Sequence, residues 1–499
     1  MQAKTSLFVG AGGTAILARL QMFLAAQNIN AFLVGGYVRD GLLGKTNHDI
    51  DLTVAGEAVQ IARQAADFLG GKFVLLDELH QVARVVLMQN EKRWHLDFAA
   101  MRGSIEEDLS KRDFTIDAIA AKPEQLEEGW NQVECIDPLD GTGDLERKLI
   151  RATNNTVFPD DPARLLRAFR LAAEFGFAIE TRTETLIERD SNLIASVSGE
   201  RIREELGRIF EADQTTESLR QMDRLGFLDH LLPELSGCKG VEQPKEHFWN
   251  VFDHSMETVA ATERLLTALR SNDELLASFA FSAELTDHFE ERVGNGLSRK
   301  ALLKLAALLH DVAKPQTKSY DEEKGKIRFL GHAQQGAGIA GDILERFRFS
   351  SKEREIVTRV IDQHLRPGHL SNAPEPPTRR AIYRYFRDNA DVGVDTLFFS
   401  LADHLATRGP ELEKEGWQDH VVVTEQMLSS WFNEETVISP PKLIDGNTLI
   451  EKLGLPPGPE IGKLLEAVRE AQASGEIETE DNALDFARKE LDEKHANQR

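Results

Sequence analysis

Gly35-Gly36-Tyr37-Val38-Arg39-Asp40, followed by Asp49-Ile50-Asp51, decides how this chain begins to fold. The run before it, Ala31-Phe32-Leu33-Val34, is short, apolar and stopped by glycine, the pattern of a buried strand ending in a tight turn. A second run, Ile50 to Val54, carries Asp49 and Asp51 two residues apart. Alternate side chains of a strand share a face, so both carboxylates can hold the same hard cations. A glycine pair without Cβ atoms lets backbone N–H groups close on a phosphate. Phosphate cradle and paired carboxylates together equip a chain for metal-assisted phosphoryl transfer.

Outward from this core, residues up to about 151 alternate short apolar runs with helical patterns. Strands are expected near 31–34, 50–54, 72–76, 84–89 and 94–98, and helices near 15–27 and 57–69, giving an α/β domain with a mixed sheet. From Pro162 to about Leu232 the periodicity is helical throughout, with Leu165, Leu166, Phe169, Leu171 and Ala172 as its apolar stripe. Pro233 and the Gly237–Gly240 stretch mark a boundary, and the remainder is again helical, holding most of the histidines before Ala406. The fold class is therefore α+β, with regions at 1–152, 153–235, 236–406 and 407–499. A chain of 499 residues is too long for one core, which agrees with several domains.

Composition narrows the setting. Hydrophobic residues make up 41% and charged residues 28%, as in a globular protein, and no apolar run is long enough to cross a bilayer. The Phe8–Leu24 stretch is broken by Gly10, Gly12, Gly13 and Arg19, a poor signal-peptide core. Cys135 and Cys238 stand alone, outside any metal-ligand spacing, which points to a reducing, cytoplasmic location. The net charge of −24 lowers the expectation of a nucleic-acid partner. The acids, however, gather in later segments such as Asp321-Glu322-Glu323 and Glu411-Leu412-Glu413. Arg164, Arg167, Arg170, Arg201, Arg203 and Arg208 gather in the second region, where a local basic groove can still bind RNA.

Two further motifs follow the first in order. One is Asp108-Leu109-Ser110-Lys111-Arg112-Asp113-Phe114-Thr115-Ile116-Asp117-Ala118; the other is Asp160-Asp161-Pro162-Ala163-Arg164-Leu165-Leu166-Arg167. The three together resemble the class II tRNA nucleotidyltransferase (CCA-adding enzyme)/poly(A) polymerase family, across roughly residues 31–235. The resemblance implies a nucleotidyltransferase head, a helical neck and a helical tail. It implies that Asp49 and Asp51 are catalytic ligands of Mg²⁺, with Asp97 of Trp94-His95-Leu96-Asp97-Phe98 a third carboxylate. It also implies that Gly36, Arg39, Arg112 and Asp113 meet the nucleotide, the last two at its ribose.

Asp160-Asp161-x-x-Arg164 also reads as a helix start, with Asp161 at the N-cap and Pro162 first in the helix. In the family resembled, this Asp and Arg pair with the base of CTP or ATP, so the protein is the template. A carboxylate accepts from the exocyclic amino group and a guanidinium donates to ring acceptors, an arrangement that takes cytosine and adenine and rejects uracil and guanine. Arg167 and Arg170 follow on the same helix and could reach the triphosphate or the tRNA backbone. The implied partners are the tRNA 3′ end, CTP and ATP.

The sequence departs from the family in three places. Lys111 stands where an arginine is usual and loses the planar fork, and Asp117 stands where asparagine is common. Few residues separate Met101-Arg102 from Asp108-Leu109, where CCA-adding relatives carry a longer loop that helps the switch from C to A. A short loop raises the prospect of a CC-adding or A-adding enzyme; a poly(A) polymerase is the other enzymatic reading. The non-enzymatic alternative is an RNA-binding or nucleotide-sensing protein, against which intact Asp49, Asp51, Asp161 and Arg164 count.

A second chemistry lies in His254, His310-Asp311, His332, His364 and Asp403, an H…HD…H…H…D order resembling the HD superfamily of metal-dependent phosphohydrolases. The set suits a pair of divalent transition metals or Mg²⁺, with Lys314 leaning toward a phosphate. His247, His369 and His404 read as ordinary surface or helix-end residues. In the tail, Arg379, Arg380, Tyr383, Arg384, Tyr385 and Arg387 make a basic aromatic stretch that reads equally as a tRNA-elbow contact or as a helix with a solvated face.

Overall fold

The computed structural model describes residues 4–5, 13–128, 133–271, 281–373 and 375–497; residues 8–12 of the Phe8–Leu24 stretch lie outside these. The chain forms two compact units, Met1–Val197 with Gln221–His230, and Ser198–Arg220 with Leu231–Arg499.

The first unit is built on a six-stranded mixed sheet. Its strands are β1 (Ala31–Val34), β2 (Asp49–Val54), β3 (Lys72–Asp77), β4 (Val82–Gln89), β5 (Lys92–Ala100) and β6 (Ala120–Ala121), in the order β3-β4-β5-β2-β1-β6. Every pairing is antiparallel except β2 with β5, whose register sets Asp51 opposite Asp97. β1 is buried along its whole length, as an uninterrupted apolar run requires. In β2, Ile50, Leu52 and Val54 are buried while Asp49 stands exposed, so the strand's alternation presents the acids away from the core. Helix α1 (Gly13–Ala26) and helix α3 (Ala58–Leu69) flank helix α2 (Gly35–Leu42) in sequence. In α3 the buried face is Ala58, Ile61, Ala62, Ala65, Ala66 and Leu69, a helical spacing of mostly small residues that lets the helix lie close to its neighbours.

Three expectations need correction. The glycine pair does not form a free-standing turn: Gly35, at φ +64°, is itself the first residue of α2, so β1 passes straight into a helix. Asp161 is not an N-cap. It closes the short helix Val157–Asp160, and the next helix, α4 (Arg164–Phe175), has Ala163 at its N-cap. Asp161 Oδ1 still accepts from the Ala163 N–H at 3.3 Å, so the carboxylate serves this turn from one position further out. Finally, neither later region is helical throughout. Ala178–Ile179, just beyond the left-handed Gly176 that ends α4, pairs in parallel with Leu149–Ile150.

In the second unit a hairpin of β7 (Lys318–Asp321) and β8 (Lys326–Phe329) interrupts the helices, its turn carrying Gly325 at φ +60°. The HD-like core there consists of α5 (Val251–Ala268), α6 (Arg299–Leu309), α7 (His332–Arg346), α8 (Ser351–Gln363) and α9 (Gly393–Arg408). Ten of the eleven residues of α6 are buried, so this helix is the axis of the bundle. The tail helices follow, with a separate small core of Leu449, Leu464, Val468, Ala471, Ala483 and Ala487. Among the described residues no helix is long and apolar enough to cross a membrane.

Candidate functional site

Asp51 lies directly beside the glycine pair. A Cβ on Gly35 would sit 3.3 Å from Asp51 Oδ2 and 3.0 Å from Arg112 Nη1, and one on Gly36 would sit 3.6 Å from Asp51 Oδ2. The missing side chains at 35 and 36 therefore make the room into which Asp51 and Arg112 reach. Burial pushes the Asp51 carboxyl up to about 6, and the negative charge of Asp97 pushes the same way. A half-buried carboxylate facing a second acid, with Arg112 and Arg167 only partly offsetting the two, fits a cation. Asp49, two residues earlier, is exposed and lies 2.7 Å from His95 Nδ1. Asp97, opposite Asp51 on the neighbouring strand, accepts from Arg84 Nε on one oxygen and Arg84 Nη2 on the other, both at 2.7 Å, which leaves each oxygen a further lone pair.

Arg112 and Asp113 lie between Asp51 and the Asp161–Arg164 motif. Burial acts to raise the Asp113 carboxyl, but Arg167 and Arg164 outweigh it and hold the group below the usual carboxylate range. Arg167 Nε is 2.8 Å from Asp113 Oδ2. Arg164 Nη2 donates to the Lys111 carbonyl and Nη1 to the Val157 carbonyl, both at 3.3 Å, while its Nε lies 3.9 Å from Asp161 Oδ2. Thr153 Oγ1 donates to the Arg112 carbonyl at 2.5 Å, tying the strand end to this loop. Gly36, Asp51 and Arg112 thus meet at one place within the first unit, with Asp113, Arg167, Arg164 and Asp161 linked beside them.

Two arginines expected at the nucleotide are engaged in ion pairs. Arg39 is buried, with Nη1 2.6 Å from Asp117 Oδ1 and Nη2 2.8 Å from Asp40 Oδ1, and its guanidinium lies over the Phe175 ring at 4.6 Å. Arg170 is also buried, with Nη1 donating to Glu174 at 2.6 Å. Both ion pairs hold these guanidinium groups in place. Asp117, which the sequence marked as a departure without a role, has a buried carboxylate that sits between Arg39 and, at 3.7 Å, Arg167. An aspartate in place of asparagine here supplies the charge that two arginines need. Substituting Arg39 by methionine should therefore lower unfolding stability by about 3 kcal/mol, because Asp117 loses its close partner in a buried setting. Denaturant titration of both proteins checks this, and an unchanged midpoint would show the pair to be dispensable.

The second unit gathers its histidines as the spacing implied. His310, His332 and His364 have their Nδ1 atoms 2.9, 2.7 and 2.6 Å from the carbonyls of Ala307, Phe329 and Ile361, each three residues earlier. A carbonyl only accepts, so Nδ1 carries the proton and Nε2 presents a lone pair. The Nε2 atoms converge: His254 and His310 Nε2 are 3.2 Å apart, and His332 and His364 Nε2 are 3.4 Å apart. Two trios, His254–His310–Asp311 and Asp311–His332–His364, each bring their ligand atoms within 4.8 Å of one another and share Asp311. Asp403 Oδ1 lies 3.0 Å from His254 Nε2. Burial holds His364 down at about 4, the neutral form a metal requires. Burial also holds His254 and His332 toward the neutral form, while Asp311, against burial, pulls His310 toward the protonated one, and these ring nitrogens gathered around Asp311 and Asp403 are a donor set that fits cations. Lys314 Nζ lies 2.6 Å from Asp311 Oδ2 and donates to Gln243 Oε1 at 2.6 Å.

His247, expected at the surface, is half-buried with its ring 5.5 Å from that of His254, and His404 stacks on His420 at 5.0 Å. The basic stretch of helix α10 (Arg379–Asn389) faces helix α11 (Pro459–Ser474). Arg384 donates to Glu470, Arg387 to Glu466 and Glu470, and Tyr383 Oη to Glu466, at 2.6 to 3.0 Å. Arg379 and Arg380 donate to Glu434 and Glu476. The solvated-face reading was thus incomplete, because an acidic helix packs on these arginines.

Family comparison follows the same division. Residues 31–151 match the poly A polymerase head domain, 176–238 the "Probable RNA and SrmB- binding site of polymerase A", 251–408 the HD domain and 387–487 the tRNA nucleotidyltransferase domain 2. The chain is 31% identical to an A-adding tRNA nucleotidyltransferase of Deinococcus radiodurans over 468 residues, covering 93% of this chain and 96% of that one. It is 33% identical to a CC-adding tRNA nucleotidyltransferase of Thermus thermophilus over 466 residues, covering 92% and 93%. Its fold is shared with a CCA-adding enzyme solved with ATP (TM-score 0.63, 24% identity, 96% and 94% covered). It is shared also with the Thermotoga maritima CCA-adding enzyme solved with tRNA (TM-score 0.61, 23% identity, 98% and 100% covered). The chain belongs to the class II tRNA nucleotidyltransferase/poly(A) polymerase family and carries an HD domain.

Proposed function

We propose that this enzyme adds C and A to the 3′ end of tRNA from CTP and ATP, in the cytoplasm and without a nucleic-acid template. The observation that carries the reading is the grouping of Asp51, the glycine pair and Arg112 at one place, with Asp113, Arg167, Arg164 and Asp161 linked beside them. Asp49 and Asp51 would hold Mg²⁺, which when bound would offset triphosphate charge and favour ionisation of the RNA 3′-hydroxyl. Asp97, held by Arg84, acts as the charge that keeps Asp51 ready to exchange a proton for a cation. Arg112 and Asp113 meet the ribose, Arg167 fixes Asp113, and Asp161 with Arg164 reads the base edge. The 3′-hydroxyl attacks the α-phosphorus in line and pyrophosphate leaves. Head, neck, HD domain and tail are assigned to 1–152, 153–235, 236–406 and 407–499. Incubation of tRNA lacking its 3′ end with CTP and labelled ATP tests this: extension by CCA is expected, and no extension would remove the proposal.

A second reading restricts the enzyme to CC or to A. The segment from Met101 to Asp108 is short and pinned: Ser104 forms a reciprocal cap with Glu107, and the Arg102 N–H donates to Asp108 Oδ1 at 3.1 Å. A segment so tied supports one nucleotide preference better than a switch between two. Product length in the same experiment separates the readings.

In the HD domain, His254, His310, Asp311, His332, His364 and Asp403 would hold divalent transition metals or Mg²⁺, activating water against a phosphate ester such as a 2′,3′-cyclic phosphate. His364→Ala should lower the metal bound per chain by about half, since one trio survives, as measured by elemental analysis of protein equilibrated with Mn²⁺ or Ni²⁺. Unchanged metal content would exclude His364 as a ligand.

A further inference from the structure

Beside the histidine cluster, the loop at 243–246 and the β7–β8 hairpin enclose an open cleft of about 360 Å³, lined by Gln243, Lys245, Tyr320, Lys324 and Lys326 among others. We infer that this cleft binds a nucleotide through its phosphate and base and presents it to the HD cluster. Three lysines meet there in a protein whose net charge is −24. Among the described residues Lys326 makes one long ion pair, 3.6 Å to the exposed Glu246, while Lys245 and Lys324 make none. The ammonium groups are thus available to an anion instead of being spent on neighbouring acids. Tyr320 is 63% exposed, a large ring held at the cleft edge on a hairpin strand, where a base can stack on it.

The cleft is wired to the cluster from both sides. Gln243 in its lining accepts from Lys314, which is paired with Asp311, the carboxylate common to both ligand trios. At its other end β8 finishes at Phe329, whose carbonyl takes the Nδ1–H of His332 and whose ring lies 5.4 Å from Lys314 Nζ. An occupant pressing on the hairpin or on Gln243 therefore acts on groups that position His332 and Asp311. This inference builds on the phosphohydrolase reading of the HD domain, naming its substrate side.

The chain has four tyrosines, so 3-fluorotyrosine incorporation gives a sparse ¹⁹F spectrum in which Tyr320→Phe assigns the cleft resonance. With EDTA present and the full chain used, 5′-AMP or a 3′-phosphorylated RNA trinucleotide should shift the Tyr320 signal while those of Tyr383 and Tyr385 stay in place. Whichever ligand titrates at lower concentration tells a free nucleotide from an RNA end. Lys324→Ala with Lys326→Ala should raise the required concentration by about tenfold, at an unchanged melting temperature. A Tyr320 signal unmoved by both ligands at about 1 mM, or equal titration of the lysine variant, overturns the inference. Because metal is absent, binding without later hydrolysis in Mn²⁺ would fault the phosphohydrolase reading alone; hydrolysis without any Tyr320 shift would fault the cleft alone.

Discussion

Asp51→Ala should lower incorporation of CTP and ATP by about 10³- to 10⁴-fold while leaving tRNA affinity within about twofold. The side chain sits on a rigid central strand, beside glycines that keep a space open for it, so no neighbouring group can take its place. Single-turnover extension and filter binding separate the two effects, and substantial turnover in the variant would refute its role. Wild-type incorporation should also fall as pH drops through about 6, where Asp51 takes up a proton. The proton and the cation compete for the same oxygens, so more Mg²⁺ should move this acid limb to lower pH. A limb insensitive to Mg²⁺ would assign it to another group.

Arg164→Ala should cost less in turnover with the correct nucleotide than in choice. Polar groups built to pair with a substrate edge discriminate by about 10⁴-fold, because a wrong edge leaves them unpaired. Removing the guanidinium should cut the preference for CTP over UTP by about 100-fold or more. Arg164 is anchored by two carbonyls, at Lys111 and Val157, which fixes where its remaining donors point. Comparison of kcat/KM for CTP and UTP checks this. Equal losses for both nucleotides would mean that Arg164 contacts phosphate and not base.

Much of the head was legible because its signals are local. Val34-Gly35 marks the end of a strand, and i, i+2 acids on β2 must share a face. What was not legible depended on pairing across distance. Nothing in the order of residues says that Arg84 will occupy Asp97, or that Asp117 will neutralise Arg39 and leave it buried. Position in a motif predicts proximity to a site, but the direction of a long guanidinium stem is set by tertiary partners. Asp161 failed as an N-cap for a related reason: Pro162 and Ala163 stay outside α4, so the helix begins two residues later than the cap rule suggests. The histidines were easier, since each is docked on a carbonyl only three residues away.

The facing rows of α10 and α11 carry a consequence for how this enzyme behaves in different buffers. Arg380, Arg384 and Arg387 meet their glutamates at the rim of the tail, where mobile ions have access. Attraction there fades within about 10 Å at 0.1 M salt and sooner at 1 M. Raising KCl should thus loosen the C-terminal helices before it disturbs the six-stranded sheet, and limited proteolysis at rising salt should release the tail first.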